Sequence, residues 1–534
     1  MTLAPAASAL RPSTATRAAA VGAHLLAGVC LLAIAYALRR WFFCGFILGD
    51  DMQEFAVLQR VLGHAVELED QLQLRFGWWL PNAVTLRLFG VNETGFMMAQ
   101  WLTSSALALV AYALLVAWGY GIVGAFLGGL FVASAPFEVL IGTARVNDLY
   151  LEAALAFSLL LFVRLQRRPV MQGTAVALCL WYAFYVKLWA VYALPALAWW
   201  YRGIADRVAR RRGVGAFVAA SAVLHGATCA YWKARLDTWV PFVHSHAANW
   251  AVSRAEFPRM LRLYPDMILR GSEFGTTLFG AVPYLLLALF VAKTVGTVRR
   301  STRFGLDRAD GMLAVLWGSF LVLLELFPNG FSASTYYSVP RIFRYLAPIS
   351  FPMALHVAKM LLDVARLPRL AAVSPLATLA VMAPFLAVNL RQVDEATRPG
   401  QQYHAAFTAV LDTVRRERPP ALVADALIAS WIQGFYAPTW RHHVNVKILH
   451  QTYASTQYED WLRTREQTLP EGTLLLTGLA GYVHYGAHAE GMRLRFFRAP
   501  LGPNWRLVHE FGVLSYEPWP EPVRLWRLER RGAP

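Results

Sequence analysis

Residues 95–117 read GFMMAQWLTSSALALVAYALLVA, a run without a charged side chain. About 20 mostly apolar helical residues are needed to cross a hydrocarbon core roughly 30 Å thick, and this run meets that length. Ten similar runs lie near residues 20–38, 121–137, 148–163, 172–187, 188–201, 213–231, 276–297, 311–327, 344–364 and 370–390. The sequence therefore predicts an α-helical polytopic membrane protein with about 11 transmembrane helices.

Composition agrees with a membrane protein. Of the 534 residues, 57% are hydrophobic and 16% charged, whereas soluble domains have about 45–50% and 25%. The net charge of +17 comes mostly from arginines clustered between apolar runs, which argues against a nucleic-acid partner. The four cysteines lie in or beside apolar runs and form no metal-ligand spacing.

Two features leave the number of spans open. The runs 172–187 and 188–201 are short and closely joined, so one of them can be a re-entrant or interfacial segment. The first run, 20–38, is an alternative candidate for a signal peptide. We interpret it as a retained helix, because it lacks a small-residue cleavage site and continues into Arg39 and Arg40.

Positively charged loops predict the orientation, because short cytoplasmic loops are enriched in Lys and Arg. Alternate connections carry these residues: Arg164, Arg167 and Arg168; Arg202, Arg207, Arg210, Arg211 and Arg212; Arg299, Arg300, Arg303 and Arg308; Arg366 and Arg369. Arg11 and Arg17 place the N-terminus on the same inner side. With an odd number of spans, we expect a transmembrane domain over 1–391 and an extracytoplasmic domain over 392–534.

Three outer segments are too long or too polar for simple turns, namely 39–94, 232–275 and 328–343. The first contains an amphipathic pattern that predicts an interfacial helix. Its apolar positions are Met52, Phe55, Leu58, Leu62 and Ala65, opposite Gln53, Glu54, Gln59 and Arg60. The tail combines a helix-like stretch near 402–417 with strand-like runs at 473–476 and 523–528, which predicts a small α/β domain.

An acidic pair, Asp50 and Asp51, follows the first span and begins the amphipathic segment. One interpretation is helix capping. Asp is a favoured N-cap residue, and its negative charge interacts favourably with the helix dipole, which stabilises a helix by about 1 kcal/mol. The other is catalysis, in which an Asp at a partly apolar boundary accepts a proton from an attacking hydroxyl. The residues alone favour the cap, and the surrounding motifs favour catalysis.

Taken with that pair, several motifs resemble the GT-C superfamily of membrane glycosyltransferases, in the branch of protein O-mannosyltransferases and lipid A aminoarabinose transferases. The motifs are RFGWWLP at 75–81, LRLFGVNE at 86–93, SAP at 134–136, TARVND at 143–148 and RIFRYLAP at 341–348. They cover about residues 20–365 by order and spacing. Such enzymes move a sugar from a polyprenyl-phosphate carrier to an acceptor, usually with inversion.

The resemblance implies roles for the acidic residues. Asp50 matches the first acidic position and is expected to activate the acceptor hydroxyl, with Asp51 as its neighbour or substitute. Adjacent carboxylates raise each other's proton affinity, which suits a base near neutral pH. Asp148, together with Arg145 in the same motif, matches the second acidic site and is expected to position substrate. The alternative role of Asp148 is to cap the fourth span.

Cations on the outer side are candidates for holding the lipid phosphate that leaves. Arg341 and Arg344, three residues apart and followed by Tyr345, are expected on one face at the start of the tenth span; snorkelling is the alternative. Arg75 stands where the family often has a His-Pro-Pro-like segment, so its assignment to donor or acceptor stays open.

Two further basic positions are candidates for binding substrate. Lys187 lies between the two short spans, and an ionisable residue there is a functional candidate. His244 belongs to a basic outer loop that can hold the carrier phosphate or face anionic lipid. His244 and His246 alone are weak evidence for metal. We expect no cofactor and no metal, because transfer in this branch is generally metal-independent.

These observations predict a glycosyltransferase in a bacterial cytoplasmic membrane, where polyprenyl-phosphate sugar is the donor and an envelope lipid, polysaccharide or protein is the acceptor. The abundance of Arg over Lys and the Ala-rich composition suggest a GC-rich bacterial genome. Alternatives are a flippase for lipid-linked sugars, a noncatalytic carrier-binding member of the fold, and an O-antigen polymerase or ligase. No paired broken helices or internal symmetry support the flippase.

Overall fold

The computed structural model describes residues 14–46, 50–63, 74–240, 263–270, 278–299, 304–326, 328–331, 336–338, 343–367, 374–424, 426–436, 466–478, 502–514 and 521–530. Helices dominate these residues, and short strands follow late in the chain. The first nine helices are α1 Thr14–Trp41, α2 Asp50–Leu62, α3 Phe76–Phe89, α4 Glu93–Ala117, α5 Ile122–Ser134, α6 Pro136–Thr143, α7 Asp148–Arg164, α8 Pro169–Val186 and α9 Leu194–Arg202.

The second half of the bundle begins with the 30-residue helix α10. Its helices are α10 Arg207–Leu236, α11 Leu263–Leu269, α12 Val282–Val298, α13 Arg308–Leu326, α14 Ala347–Ala365, α15 Ser374–Glu417 and α16 Ala426–Trp431. Two 3₁₀ turns, Leu188–Ala193 and Phe343–Leu346, precede α9 and α14. Every one of the apolar runs predicted from the sequence overlaps one or more of these helices.

Among the described residues, 7 helices are long and apolar enough to cross a membrane: α1, α4, α8, α10, α13, α14 with its preceding turn, and α15. An eighth span results if α5 and α6, which meet at an angle of 58°, count as one. The bend has a local cause, because Pro136 begins α6 and forces the preceding Ala135 out of the helical region. The count of about 11 spans stays a prediction.

The helix α14 lies at the centre of the bundle and is buried along nearly its whole length. The helices α5, α7, α13 and α15 pack around it. In contrast, α10 packs mainly against α8 and leaves most of its apolar side chains exposed, as expected for a helix that faces lipid.

Helix α15 differs from the sequence prediction. Residues 370–390 and 402–417 were expected as a span and a separate tail helix, but one helix of 44 residues runs through both. At 1.5 Å per residue this helix is about 66 Å long, roughly twice the hydrocarbon thickness. The expected boundary at 391/392 therefore lies inside a continuous helix, and the division into two domains stays a prediction.

The described part of the tail contains a four-stranded sheet, as the strand-like runs predicted. Its strands are β3 Leu422–Val423, β4 Leu474–Thr477, β5 Trp505–Leu514 and β6 Glu521–Leu528, in the order β3-β4-β6-β5. The pair β3–β4 is parallel and the other pairs are antiparallel. A separate antiparallel hairpin, β1 Pro328–Phe331 with β2 Tyr336–Ser338, lies between α13 and α14.

The tail is attached to the helices by polar and aromatic contacts. Glu417, the last residue of α15, accepts hydrogen bonds from His509 on β5 and Arg527 on β6, each at 2.6 Å. Near α16, Trp431 stacks on Phe435 at 4.5 Å between centroids. The Tyr436 hydroxyl donates to Glu93 Oε1 at 2.6 Å. The tail therefore packs directly on the start of α4.

Candidate functional site

Asp148, the first residue of α7, is the centre of a charged cluster. Its side chain is 2% exposed and its Oδ1 lies 2.5 Å from Lys187 Nζ. Its other oxygen, Oδ2, lies 4.0 Å from Arg344 Nε. The sequence singled out all three residues separately, and the structure brings them together from three different elements.

Lys187 is held by more than its ion pair. The chain leaves α8 at this residue in an extended conformation, with φ −159° and ψ 133°, and turns into the 3₁₀ segment. Its ammonium lies 4.3 Å from the ring centroid of Trp189 and 3.9 Å from that of Tyr345. The two rings meet edge to face at 4.2 Å. Cation–π attraction of this kind stabilises a partly buried ammonium and fixes its position.

Arg344 and Tyr345 lie on the 3₁₀ turn before α14, so the helix begins three residues later than the sequence indicated. The Arg344 side chain is 22% exposed, and its guanidinium carbon lies 5.5 Å from the Tyr345 ring. A guanidinium presents its N–H donors in a planar fork that matches the geometry of a phosphate. Arg341, the predicted partner of Arg344, lies outside the described residues, as does His244.

A second polar network lies beside Asp148. Arg145 donates from Nε to Glu54 Oε2 at 2.7 Å, and from Nη1 to Asn82 Oδ1 at 2.6 Å. Asn147 donates to the other Glu54 oxygen at 2.5 Å, and Tyr150 donates to Asn82 at 3.0 Å. The Arg145 side chain is fully buried. These hydrogen bonds connect the segment just before α7 to α2 and α3. The role of Arg145 in binding substrate stays a prediction.

Glu54 corrects one prediction from the sequence. It was placed on the polar, water-facing side of the amphipathic helix α2, but it is 2% exposed. The reason is its ion pair with Arg145, a partner 91 residues away. Burial raises the pKa of Glu54, and the nearby Asp148 adds to this effect, while Arg145 and Asn147 oppose it. Exposed Gln59 and Arg60 confirm the polar face elsewhere.

The acidic pair begins α2, since the helix starts at Asp50. This position is compatible with capping and with catalysis, and the side chains of Asp50 and Asp51 are outside the description. Asp50 precedes Glu54 by one helical turn, which is about 6 Å along the axis. Because Glu54 is within electrostatic range of Asp148, the start of α2 and the charged cluster belong to one region.

Arg75 stands immediately before α3. At that point α3 approaches α8 so closely that a Cβ on Gly77 would lie 2.6 Å from Val186 Cγ2 and 2.9 Å from the Val186 nitrogen. Tyr182 also donates a hydrogen bond to the Gly77 carbonyl. Arg75 is therefore placed beside the end of α8, where Lys187 follows.

Sequence reasoning missed a buried carboxyl pair, Glu138 on α6 and Glu152 on α7, which are 0% and 1% exposed. Glu152 Oε1 accepts a hydrogen bond from the Phe351 amide of α14 at 2.8 Å. The signal was present, because Glu152 follows Asp148 by four residues inside an apolar run and so shares its helix face.

A second ionic cluster lies at the opposite end of α14 from Arg344. Lys293 Nζ contacts Asp310 at 2.6 Å and Asp363 at 2.7 Å. Lys359 Nζ contacts Asp307 at 2.7 Å, Asp310 at 2.9 Å and Asp363 at 3.0 Å. The three carboxylates are close enough to share a metal ion. The two ammonium groups balance two of the three negative charges, and their contacts tie α12, α13 and α14 together.

The architecture is that of a polytopic helical bundle, which has a charged cluster at the start of α7 and a small sheet packed against the end of α15. No family model matches the sequence, and no curated protein matches it. Solved structures do. ArnT from Cupriavidus metallidurans in the apo state gives a TM-score of 0.51 at 12% identity, over 93% of this chain and 97% of that chain.

Two other structures are similar. ArnT from the same organism bound to undecaprenyl phosphate gives a TM-score of 0.51 at 13% identity, again over 93% and 97% of the two chains. The arabinofuranosyltransferase AftD from Mycobacteria gives 0.45 at 12% identity, over 94% of this chain and 41% of that one. The similarity to ArnT extends over nearly the whole of both chains. The chain therefore has a GT-C-like fold, which confirms the fold that the sequence resemblance implied.

Proposed function

We propose that this protein is a glycosyltransferase that moves a sugar from a polyprenyl-phosphate carrier to an acceptor hydroxyl, with inversion at the anomeric carbon. The observation that carries the proposal is the cluster of Asp148, Lys187 and Arg344 at one end of a bundle with the fold of ArnT. One of the ArnT structures holds undecaprenyl phosphate, a lipid with the headgroup that such a cluster suits.

Charge supports a phosphate at this site. Lys187 and Arg344 both lie beside the carboxylate of Asp148, and both cationic side chains are partly exposed. A phosphate oxygen can take the guanidinium N–H groups of Arg344, while Lys187 supplies a point charge held between two rings. Asp148 keeps both cations oriented before the donor arrives. Tyr345 positions Lys187 through its ring.

The transfer step requires a base and an acceptor for the departing charge. The acceptor oxygen forms a bond to the anomeric carbon as the bond from that carbon to the phosphate oxygen breaks. Asp50 takes the proton of the attacking hydroxyl, and Asp51 is its neighbour in the same helical turn. The electron pair of the broken bond leaves on polyprenyl phosphate, whose charge Lys187 and Arg344 stabilise. The sugar is then on the acceptor, the proton on Asp50 and the negative charge on polyprenyl phosphate.

The remaining predicted residues have supporting roles. Arg145 and Glu54 hold α2 against α7, which keeps Asp50 in the region of Asp148. Arg75 precedes Gly77, which packs against Val186 at the end of α8, and it is a candidate for the donor or acceptor side. The reaction is placed on the outer face of a bacterial cytoplasmic membrane, because the arginine-rich loops mark the other side. An envelope lipid, polysaccharide or protein is the acceptor class.

The decisive experiment uses the full-length protein in lipid nanodiscs with polyprenyl-phosphate sugars and an envelope extract. Mass spectrometry detects the new covalent product. We expect Asp50→Asn to lower the rate by about a hundredfold or more, the usual range for loss of a general base. Donor binding should be retained, because the phosphate site is untouched.

A matched control is Glu395→Gln, which removes an exposed carboxylate on α15 that pairs only with Arg391 in the described structure. It should transfer at the wild-type rate. Full activity in Asp50→Asn would remove the proposed base. If the wild-type protein forms no product with any polyprenyl-phosphate sugar but moves the lipid across the bilayer, the flippase interpretation replaces the enzyme.

A further inference from the structure

Asp148 and Arg344 lie at the starts of α7 and α14, and among the described residues a buried hydrogen bond joins these two helices one turn further along. Asp148 begins α7, and Arg344 lies on the turn before α14. One turn further along α7, Glu152 Oε1 accepts the hydrogen bond from the Phe351 amide at 2.8 Å. Because residues four apart lie on the same helix face, this bond is about 6 Å beneath Asp148.

The surroundings of Glu152 are closed to water. Glu152 is 1% exposed, and its neighbour Glu138 is 0% exposed. Arg39 is also buried, within electrostatic range of both carboxyls, and bonds to Ser104 Oγ at 2.9 Å. A buried polar group with its partner intact is stabilising, whereas the same group without a partner carries its full desolvation cost.

The charges in this cluster explain why Glu152 can serve as an acceptor in either protonation state. Arg39 brings one positive charge, and two adjacent carboxyls that were both ionised would leave an excess of negative charge in a dry interior. One proton shared by Glu138 and Glu152 gives electrical balance. A glutamine at 152 should therefore be tolerated, because it keeps the carbonyl acceptor and leaves Glu138 to balance Arg39.

We propose that Glu152 is a positioning residue for the transfer reaction, which sets the separation between the Asp148–Lys187 pair and Arg344. The inference rests on the proposed function, because it assumes that these cations hold the carrier phosphate. The Asp148 Oδ2–Arg344 Nε distance of 4.0 Å leaves little room for sliding of α7 against α14. A phosphate held by both Lys187 and Arg344 requires that separation to be constant.

The test measures binding of polyprenyl phosphate to the full-length protein in detergent, together with KM and kcat for transfer. Glu152→Leu keeps the size of the side chain and removes the acceptor, which should weaken binding about tenfold or more and raise KM to match. Glu152→Gln should restore binding to within about threefold of wild type, because the amide oxygen still accepts from Phe351.

Gln172→Leu is the matched control, since it truncates a fully buried polar side chain on α8 whose hydrogen bond goes to the Phe162 carbonyl of α7 at 2.6 Å, and so leaves the bond between Glu152 and α14 intact. It should bind polyprenyl phosphate within about threefold of wild type, even if its melting temperature falls as far as that of Glu152→Leu. Wild-type binding by Glu152→Leu, equal loss in Gln172→Leu, or failure of Glu152→Gln to rescue would each overturn the inference. If Glu152→Leu does not accumulate, Glu152→Met takes its place.

Failure of the inference differs from failure of the proposed function. If the wild-type protein neither binds polyprenyl phosphate nor transfers sugar, the proposed function is wrong. If the wild type does both and Glu152→Leu does so equally well, only the positioning role is wrong.

Discussion

Replacing Lys187 with methionine separates its contribution to stability from its contribution to donor binding. Methionine keeps the length of the side chain and its packing between Trp189 and Tyr345. It leaves Asp148, whose side chain is 2% exposed, with the more distant Arg344 as its remaining cation, at 4.0 Å. The unpaired carboxylate is the main source of the expected loss.

The expected loss of stability in Lys187→Met follows from the burial of the Asp148–Lys187 ion pair. Removing one partner of a buried ion pair costs about 3–5 kcal/mol. We expect a value near the lower end, about 3 kcal/mol, because the Lys187 side chain is 12% exposed and Arg344 compensates in part. The double variant Lys187→Met with Asp148→Asn should recover most of this stability, since it removes the unpaired charge together with its partner. Donor binding should stay lost in the double variant.

The assay is thermal unfolding in a single detergent, run beside a titration with polyprenyl phosphate. Stability restored without binding supports the assignment of Lys187 to the carrier phosphate. Binding restored in the double variant would show that Lys187 serves only to neutralise Asp148. A melting temperature unchanged in Lys187→Met would show that the ion pair contributes nothing, and the electrostatic reasoning would be wrong.

Lys359→Met should destabilise the protein by about 3–5 kcal/mol, because it breaks the ionic cluster at the far end of α14; Glu395→Gln, in an exposed pair, should change stability by less than about 0.5 kcal/mol. Chemical unfolding in mixed micelles measures the free energy of unfolding of both variants. Equal losses would contradict the burial of Lys359 and the exposure of Glu395. Gly77→Ala should cost about 1–3 kcal/mol, since its Cβ would lie 2.6 Å from Val186 Cγ2. Gly226→Ala on α10, where nothing lies within 4 Å of the added carbon, should be neutral or stabilising in the same assay.

Local patterns were enough to predict the helices and the sheet of the tail. Apolar length determines where a helix can cross a bilayer, and every predicted run proved helical in the described residues. Strand-like runs at 473–476 and 523–528 became neighbouring strands. The number of spans stays a prediction, because α7, α9 and α12, with 17, 9 and 17 residues, are shorter than each of the seven helices long enough to cross a membrane.

The continuity of α15 was harder to predict. Its sequence changes from apolar to polar near residue 391. This change indicates where the helix leaves the membrane, but it does not indicate where the helix itself ends. Gly400 packs against Cys44 so closely that a Cβ there would lie 2.7 Å from the Cys44 Cβ. This tertiary contact holds the helix in place across the change in polarity.

The site was predicted residue by residue but not as an arrangement. Lys187 and Asp148 were each notable for a charge near an apolar run, yet their contact joins residues 39 apart in the chain. Glu54 was misplaced for the same reason, since its partner Arg145 is remote in sequence. Periodicity reports which face of a helix is polar, and only packing decides whether a polar residue on that face meets water or a buried partner.

A cryo-electron microscopy map of the full-length protein in nanodiscs with polyprenyl phosphate tests the central claim most directly. We expect phosphate density within hydrogen-bonding distance of Lys187 and Arg344, with the start of α2 facing it across the space that a sugar would fill. Density beside Lys293 and Lys359 at the opposite end of α14, or a bound phosphate that touches neither Lys187 nor Arg344, would contradict the account.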